Sequence, residues 1–227
     1  MNILISGGTG FVGNWMKRMQ PKEVTVLYLS KKEYETYRLE LWNCDYCVHL
    51  ANIDPERMLN VARVNGARLL YCSSGIVYYP ENDIQYRRDK VAWEEKCLNS
   101  GVDVVIARLF TFFGEGLDDQ KAWMQFDRAS KANKPIEVWG DGRVVRSYMS
   151  GADMARWIWM ILLHGESGEA YDVGSNIPIT MEQLARDIKY MNGSSSPIIF
   201  KGGYKDPMPV YLPKDTIKTF KLFPSNL

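Results

Sequence analysis

Short apolar runs alternate along this chain with longer stretches in which apolar residues return every three or four positions. The runs have the pattern of buried parallel strands, and the longer stretches that of helices packed on them. Ile3, Leu4 and Ile5 form the first run. A glycine-rich turn follows, then a helical stretch broken near Pro21 and a second β-rich run from Val24 to Leu29. Further strands are predicted at 47–50, 68–72, 102–108 and 170–175. Helices are predicted over 55–65, stopped by Gly66, and through 91–100, stopped by Gly101. Two more fall at 122–132 and 154–163, and another opens on the capping box Thr180-Met181-Glu182-Gln183. The 154–163 segment is apolar on several sides, which predicts a buried helix whose Trp157 and Trp159 pack rather than bind. Residues 33–44 leave room for one helix, or a helix and a very short strand. Strand and helix in regular alternation predict an α/β fold around a parallel sheet.

The first turn carries candidate chemistry. Gly7, Gly10 and Gly13 are spaced G-x-x-G-x-x-G between a strand and a helix, with a second strand after the helix. That is the setting of a dinucleotide fingerprint. Gly7 permits a turn closed to larger residues, Gly10 lets the backbone approach a pyrophosphate, and Gly13 lets the helix lie close on the sheet. The helix amides, with Thr9, Phe11 and Val12 around them, then face the phosphates. At the end of the second strand an acidic residue would bind the ribose hydroxyls of NAD, whereas Ser30-Lys31-Lys32 leans towards the extra phosphate of NADP.

Composition removes several classes. A formal net charge of +1 gives no footprint for nucleic acid or an anionic membrane. No apolar stretch is long enough to span a bilayer, and Met1 leads straight into the first strand without a signal-peptide pattern, so a cytoplasmic protein is expected. Cys44 and Cys47 form a C-x-x-C near His49, but no second ligand pair accompanies them, and core thiols are expected rather than a metal or redox centre.

Later motifs follow in a recognisable order. Asp45-Tyr46-Cys47-Val48-His49-Leu50-Ala51 is followed by Ser73-Ser74-Gly75-Ile76-Val77-Tyr78 and by the Y-x-x-x-K of Tyr86 and Lys90. Arg108-Leu109-Phe110-Thr111-Phe112-Phe113-Gly114, Pro135-Ile136-Glu137-Val138-Trp139-Gly140-Asp141-Gly142 and Arg146-Ser147-Tyr148 come after them. With the glycine turn, this series resembles the extended short-chain dehydrogenase/reductases of the NAD-dependent epimerase/dehydratase family, which act on nucleotide sugars.

The resemblance implies a Rossmann-type doubly wound parallel sheet with a small C-terminal substrate lobe. The core would be residues 1–120 plus 151–180, and the lobe 121–150 plus 181–227. It implies an enzyme that binds NADP or NAD, with Ser74, Tyr86 and Lys90 as the catalytic group. Lys90 would bias the Tyr86 phenol towards ionisation and hold the cofactor ribose. Leu50 and Ala51 would lie against the cofactor, with His49 packed on that side. Ser74, Thr111 and Arg146 would meet the substrate, the Arg146 fork taking its diphosphate. A homodimer formed partly by the helix around Lys90 is also implied.

Several departures matter. The third βα unit is trimmed, which is tolerable because the third strand is an edge in the doubly wound order. Only eleven residues lie between Ser74 and Tyr86, fewer than the family usually has. Gly75 and Ile76 replace the Asp-Glu of the family's dehydratases, which argues against dehydration. Thr111 stands for an Asn and Glu115 for a Pro, and the chain stops at Leu227 where a final helix is expected to be running. The expected activity is hydride transfer at a hydroxyl or keto carbon, by a 4-epimerase or a keto-sugar reductase. The alternative is a non-catalytic NAD(P)-binding sensor or scaffold of the same fold.

Overall fold

The computed structural model describes residues 1–203 and 205–223. The first half runs β1 (Asn2–Ser6), α1 (Phe11–Arg18), β2 (Thr25–Leu29), α2 (Lys31–Thr36), β3 (Tyr46–His49) and α3 (Glu56–Asn65). It continues through β4 (Arg68–Ser74), α4 (Gln85–Leu98) and β5 (Val104–Leu109). The second half holds β6 (Phe112–Phe113), α5 (Ala122–Lys131), β7 (Ile136–Trp139), β8 (Val145–Arg146), β9 (Met149–Ser150) and α6 (Gly151–His164). Then come β10 (Ala170–Val173), β11 (Ile179–Thr180), α7 (Met181–Met191), β12 (Ile198–Lys201) and α8 (Thr216–Phe220).

Six strands form one sheet in the order β10-β5-β4-β3-β1-β2, and every pairing in it is parallel. Side chains alternate between its faces, as the pleat requires. Ile3, Ile5, Val48 and Leu70 join Met16 of α1 and Ile158 of α6 in one core, while Leu4, Cys47, Leu69 and Tyr71 join α3 and α4 residues in the other. Both faces are therefore covered, which explains why the strands read as continuous apolar runs. Trp159 is buried in the α6 layer, where its Nε1 donates to the Met16 carbonyl at 3.1 Å. A third, smaller core gathers Phe126, Ile136, Val138, Leu184, Ala185 and Ile188 from α5, β7 and α7.

The trimmed unit takes a definite form. Between β2 and β3 stand only α2 and a 3-10 turn at Leu39–Leu41, so β2 is the edge of the sheet. The order of strand addition reverses here: β2 follows β1 on one side, and β3 begins the series β4, β5 and β10 on the other. That switch point is where open α/β sheets bind ligands, at the carboxyl ends of the strands. The expected last helix is the five-residue α8, ending at Phe220, and residues 224–227 lie outside the described residues.

Candidate functional site

The glycine turn sits over the switch point. Gly7 has φ +72°, and a Cβ there would stand 3.0 Å from the Ala51 amide nitrogen and 3.2 Å from Leu50 Cβ. The turn after β1 and the end of β3 are thus in backbone contact, and only glycine fits. A Cβ on Gly13 would meet Gly8 Cα at 2.6 Å, so this glycine sets how closely α1 packs on the turn. Gly10 is exposed, has room on its outer side, and precedes a first turn of α1 that no side chain caps. Thr9 is exposed beside it, with Phe11 and Val12 half-buried. Open helix amides over a glycine cradle fit a dinucleotide pyrophosphate.

At the edge strand, Ser30 accepts from the Glu33 amide at 3.3 Å and caps α2, while Glu33 accepts from the Ser30 amide at 2.8 Å and its hydroxyl at 2.6 Å. These bonds hold the Glu33 carboxyl below the usual range. Lys31 and Lys32 are exposed, and Lys31 stands 3.9 Å from Glu35. A carboxylate therefore shares with the lysines the place where an adenosine ribose would be read, a feature the sequence reading missed. The S/T-x-x-E capping signature at Ser30 was the signal that could have found it.

Ser74 ends β4 and caps the 3-10 turn Gly75–Tyr78, its hydroxyl accepting from the Ile76 amide at 3.3 Å. Tyr86 and Lys90 stand one turn apart on α4, with Nζ 5.7 Å from the Tyr86 ring centre. The Lys90 ammonium is buried and donates to the Tyr71 hydroxyl at 3.3 Å and the Cys72 carbonyl at 3.1 Å. Tyr71 and Trp93 rings lie 5.2 and 5.4 Å from it, so aromatic faces replace much of its water. Burial lowers the Lys90 ammonium to about 8, against the opposing pull of Cys72 and Glu94. Burial likewise raises the Tyr86 phenol, and the Ser74 hydroxyl offsets that only in part. This reverses the direction expected from the motif. Desolvation of the hydroxyl outweighs the Ser74 hydrogen bond, although Tyr86 as a whole residue is 39% exposed.

A cavity of about 970 Å³ opens beside these groups, bordered by Ser74, Tyr86, Thr111, Lys121, Arg146 and Tyr211. Thr111 and Phe112 border it after β5, and Ala122, Gln125 and Phe126 of α5 face them. Tyr211 was not foreseen; its hydroxyl lies 3.4 Å from Ser74 Oγ. Arg146 is more constrained than expected. Its Nη1 donates to the carbonyls of Val145 and Met208, both at 2.9 Å, and its Nη2 pairs with Asp206 at 2.7 Å. Asp153, seven residues on, pairs instead with Arg156 and accepts from the hydroxyl of Ser150, which caps α6. The Gly75 substitution also has a cause: a Cβ there would come within 2.3 Å of the Phe110 ring, leaving no room for an acidic side chain.

The four cysteines are free and buried, with Cys44 and Cys47 sulfurs 3.6 Å apart. Among the described residues no three His, Cys, Asp or Glu side chains gather as metal ligands, and no helix is long and apolar enough to cross a membrane. His49 is wholly buried against Tyr34 and Tyr71 rather than facing the cavity.

A parallel doubly wound sheet with a glycine turn at its switch point is a Rossmann-type fold, and here Ser74 ends β4 while Tyr86 and Lys90 stand on α4. The chain belongs to the NAD dependent epimerase/dehydratase family, whose model matches residues 45–174. It is 26% identical to UDP-glucuronic acid decarboxylase 1 of Arabidopsis thaliana across 91% of this chain, but spans only 62% of that protein's length. In fold it resembles dTDP-glucose 4,6-dehydratase of Bacillus anthracis in complex with NAD, with a TM-score of 0.82 and 18% identity, covering 97% of this chain and 89% of that one. It also resembles UDP-glucose 4-epimerase of Thermotoga maritima with UDP-glucose, with a TM-score of 0.82 and 19% identity over 96% and 91% of the two chains.

Proposed function

We propose that the protein is an NAD(P)-dependent enzyme that moves a hydride at a hydroxyl or keto carbon of a nucleotide-activated sugar, as a 4-epimerase or a keto-sugar reductase. The observation that carries this reading is one of placement. Ser74 and Tyr86 border the same cavity, Lys90 stands one helical turn from Tyr86, and the glycine turn lies two strands away in the same sheet. The absence of an acidic pair after Ser74 supports plain hydride chemistry over dehydration.

When bound along Gly7, Gly10 and Gly13, the dinucleotide supplies the hydride acceptor or donor. Tyr86 Oη exchanges a proton with the reacting oxygen, and Ser74 Oγ hydrogen-bonds that oxygen. The ammonium of Lys90 has three donors and spends two on Tyr71 and Cys72, leaving one for the cofactor ribose. In this reading Thr111 and Arg146, which border the cavity, meet the substrate, and Leu50, Ala51, Ser30, Lys31 and Lys32 meet the cofactor. The lysine pair favours NADP, whereas the Glu33 carboxylate beside it favours NAD. In this reading the protein is a cytoplasmic homodimer, associated in part through α4, and needs no nucleic acid, membrane or metal.

A non-catalytic NAD(P)-binding protein of the same fold is the second reading, and the neutralised Arg146 favours it. Identifying the dinucleotide released on denaturing the purified protein tests both. Tightly held NAD supports the epimerase, and an empty protein that selects NADPH supports the reductase. Failure to take up either contradicts both readings.

A further inference from the structure

Two cations line the cavity, Lys121 and Arg146, and they are not equivalent. Arg146 faces a carboxylate that cancels its charge, and both Arg146 and Asp206 side chains are only 13% exposed. Three of its five N–H groups are already committed to Val145, Met208 and Asp206. Two of the three acceptors, Met208 and Asp206, tie β8 to residues 206–208, and Val145 extends the join through its amide to the Pro209 carbonyl at 2.8 Å. Arg146 is built as a latch between the lobe and the segment that closes over it.

Lys121 is different. It is exposed at the start of α5, and no described carboxylate comes within ion-pair distance of its ammonium. The nearby acids are turned elsewhere. Asp119 pairs with Arg128, and Asp118 accepts from the Gln120 amide at 2.9 Å. A positive charge without a counter-ion on a cavity wall attracts an anion more strongly than one already paired, and a flexible lysine reaches a phosphate as a point charge. The uncapped first turn of the ten-residue α5 adds amide dipoles of the same sign.

We propose that Lys121, rather than Arg146, supplies the charge that binds the diphosphate of the substrate, with Arg146 acting as a structural latch. This rests on the nucleotide-sugar reading above. The test is calorimetric titration of the full chain with UDP and dTDP, and with the matching nucleosides, for wild type, Lys121→Gln and Lys121→Arg. Lys121→Gln is expected to weaken the better diphosphate at least tenfold while nucleoside affinity and thermal midpoint stay unchanged, and Lys121→Arg is expected to restore binding. A diphosphate affinity in Lys121→Gln within twofold of wild type overturns the assignment and leaves the nucleotide reading standing. Wild type that binds neither diphosphate overturns both.

Discussion

The Ser6 hydroxyl donates to Nδ1 of His49 across 2.9 Å, joining the last residue of β1 to the last residue of β3 beneath the glycine turn. The other ring nitrogen, Nε2, lies 3.1 Å from the Ile53 carbonyl. A carbonyl can only accept, so Nε2 carries the proton and Nδ1 is the acceptor. His49 is therefore a neutral brace across the switch point, and protonating Nδ1 makes it a donor, so that the Ser6 hydroxyl must turn round to accept.

That brace makes stability depend on acid. Burial lowers His49 to about 4, against about 6.5 when unfolded. Between these values the unfolded chain binds more protons than the folded one, so stability falls as pH drops from 6.5 through 4. The loss amounts to about 3 kcal/mol across the window. Urea unfolding at pH 7, 5 and 4 checks it. His49→Gln should flatten that part of the profile, and an unchanged slope would contradict the assignment.

Lys90 gives the opposite kind of cost. Its ammonium is lowered to about 8 from a usual value near 10.5, so the penalty is fully present below pH 8 and is relieved as pH rises towards 10.5. Replacing a buried cation by an apolar side chain of similar length should stabilise the fold. Lys90→Met is expected to gain about 1–2 kcal/mol at pH 7, as read from chemical denaturation, while turnover collapses. A destabilised Lys90→Met would show that the bonds to Tyr71 and Cys72 outweigh the desolvation.

Gly75 is fixed by its neighbour. Gly75→Ala pushes a methyl group into the Phe110 ring and should cost about 1–3 kcal/mol. Phe110→Ala combined with Gly75→Asp should fold better than Gly75→Asp alone, a comparison that thermal melts make directly. Equal melting of Gly75→Ala and wild type would mean that the ring moves aside freely.

The parts of this molecule that repeat locally were legible in its sequence. Ile3 to Ile5, the Gly7 to Gly13 spacing and the 154–163 helix each express a short-range rule, and each became β1, its cradle and the buried α6. The division of the sheet between two cores also followed from continuous apolar runs. The contacts that shape the cavity were not legible, because they join residues far apart in sequence. Arg146 meets Asp206 across 60 positions and Ser74 meets Tyr211 across 137, with no periodicity to announce either. The titration of Tyr86 was misread for a related reason: a motif names the cation but says nothing about how much water the fold removes from the phenol.

In the proposed reaction Tyr86 exchanges the proton while a bound dinucleotide carries the hydride. The most direct measurement compares Tyr86→Phe with wild type for cofactor affinity by titration and for turnover of UDP- or dTDP-sugars. The expected result is a cofactor affinity within about threefold of wild type and turnover lower by about 10²–10⁴. Turnover that survives the loss of the hydroxyl would contradict the mechanism.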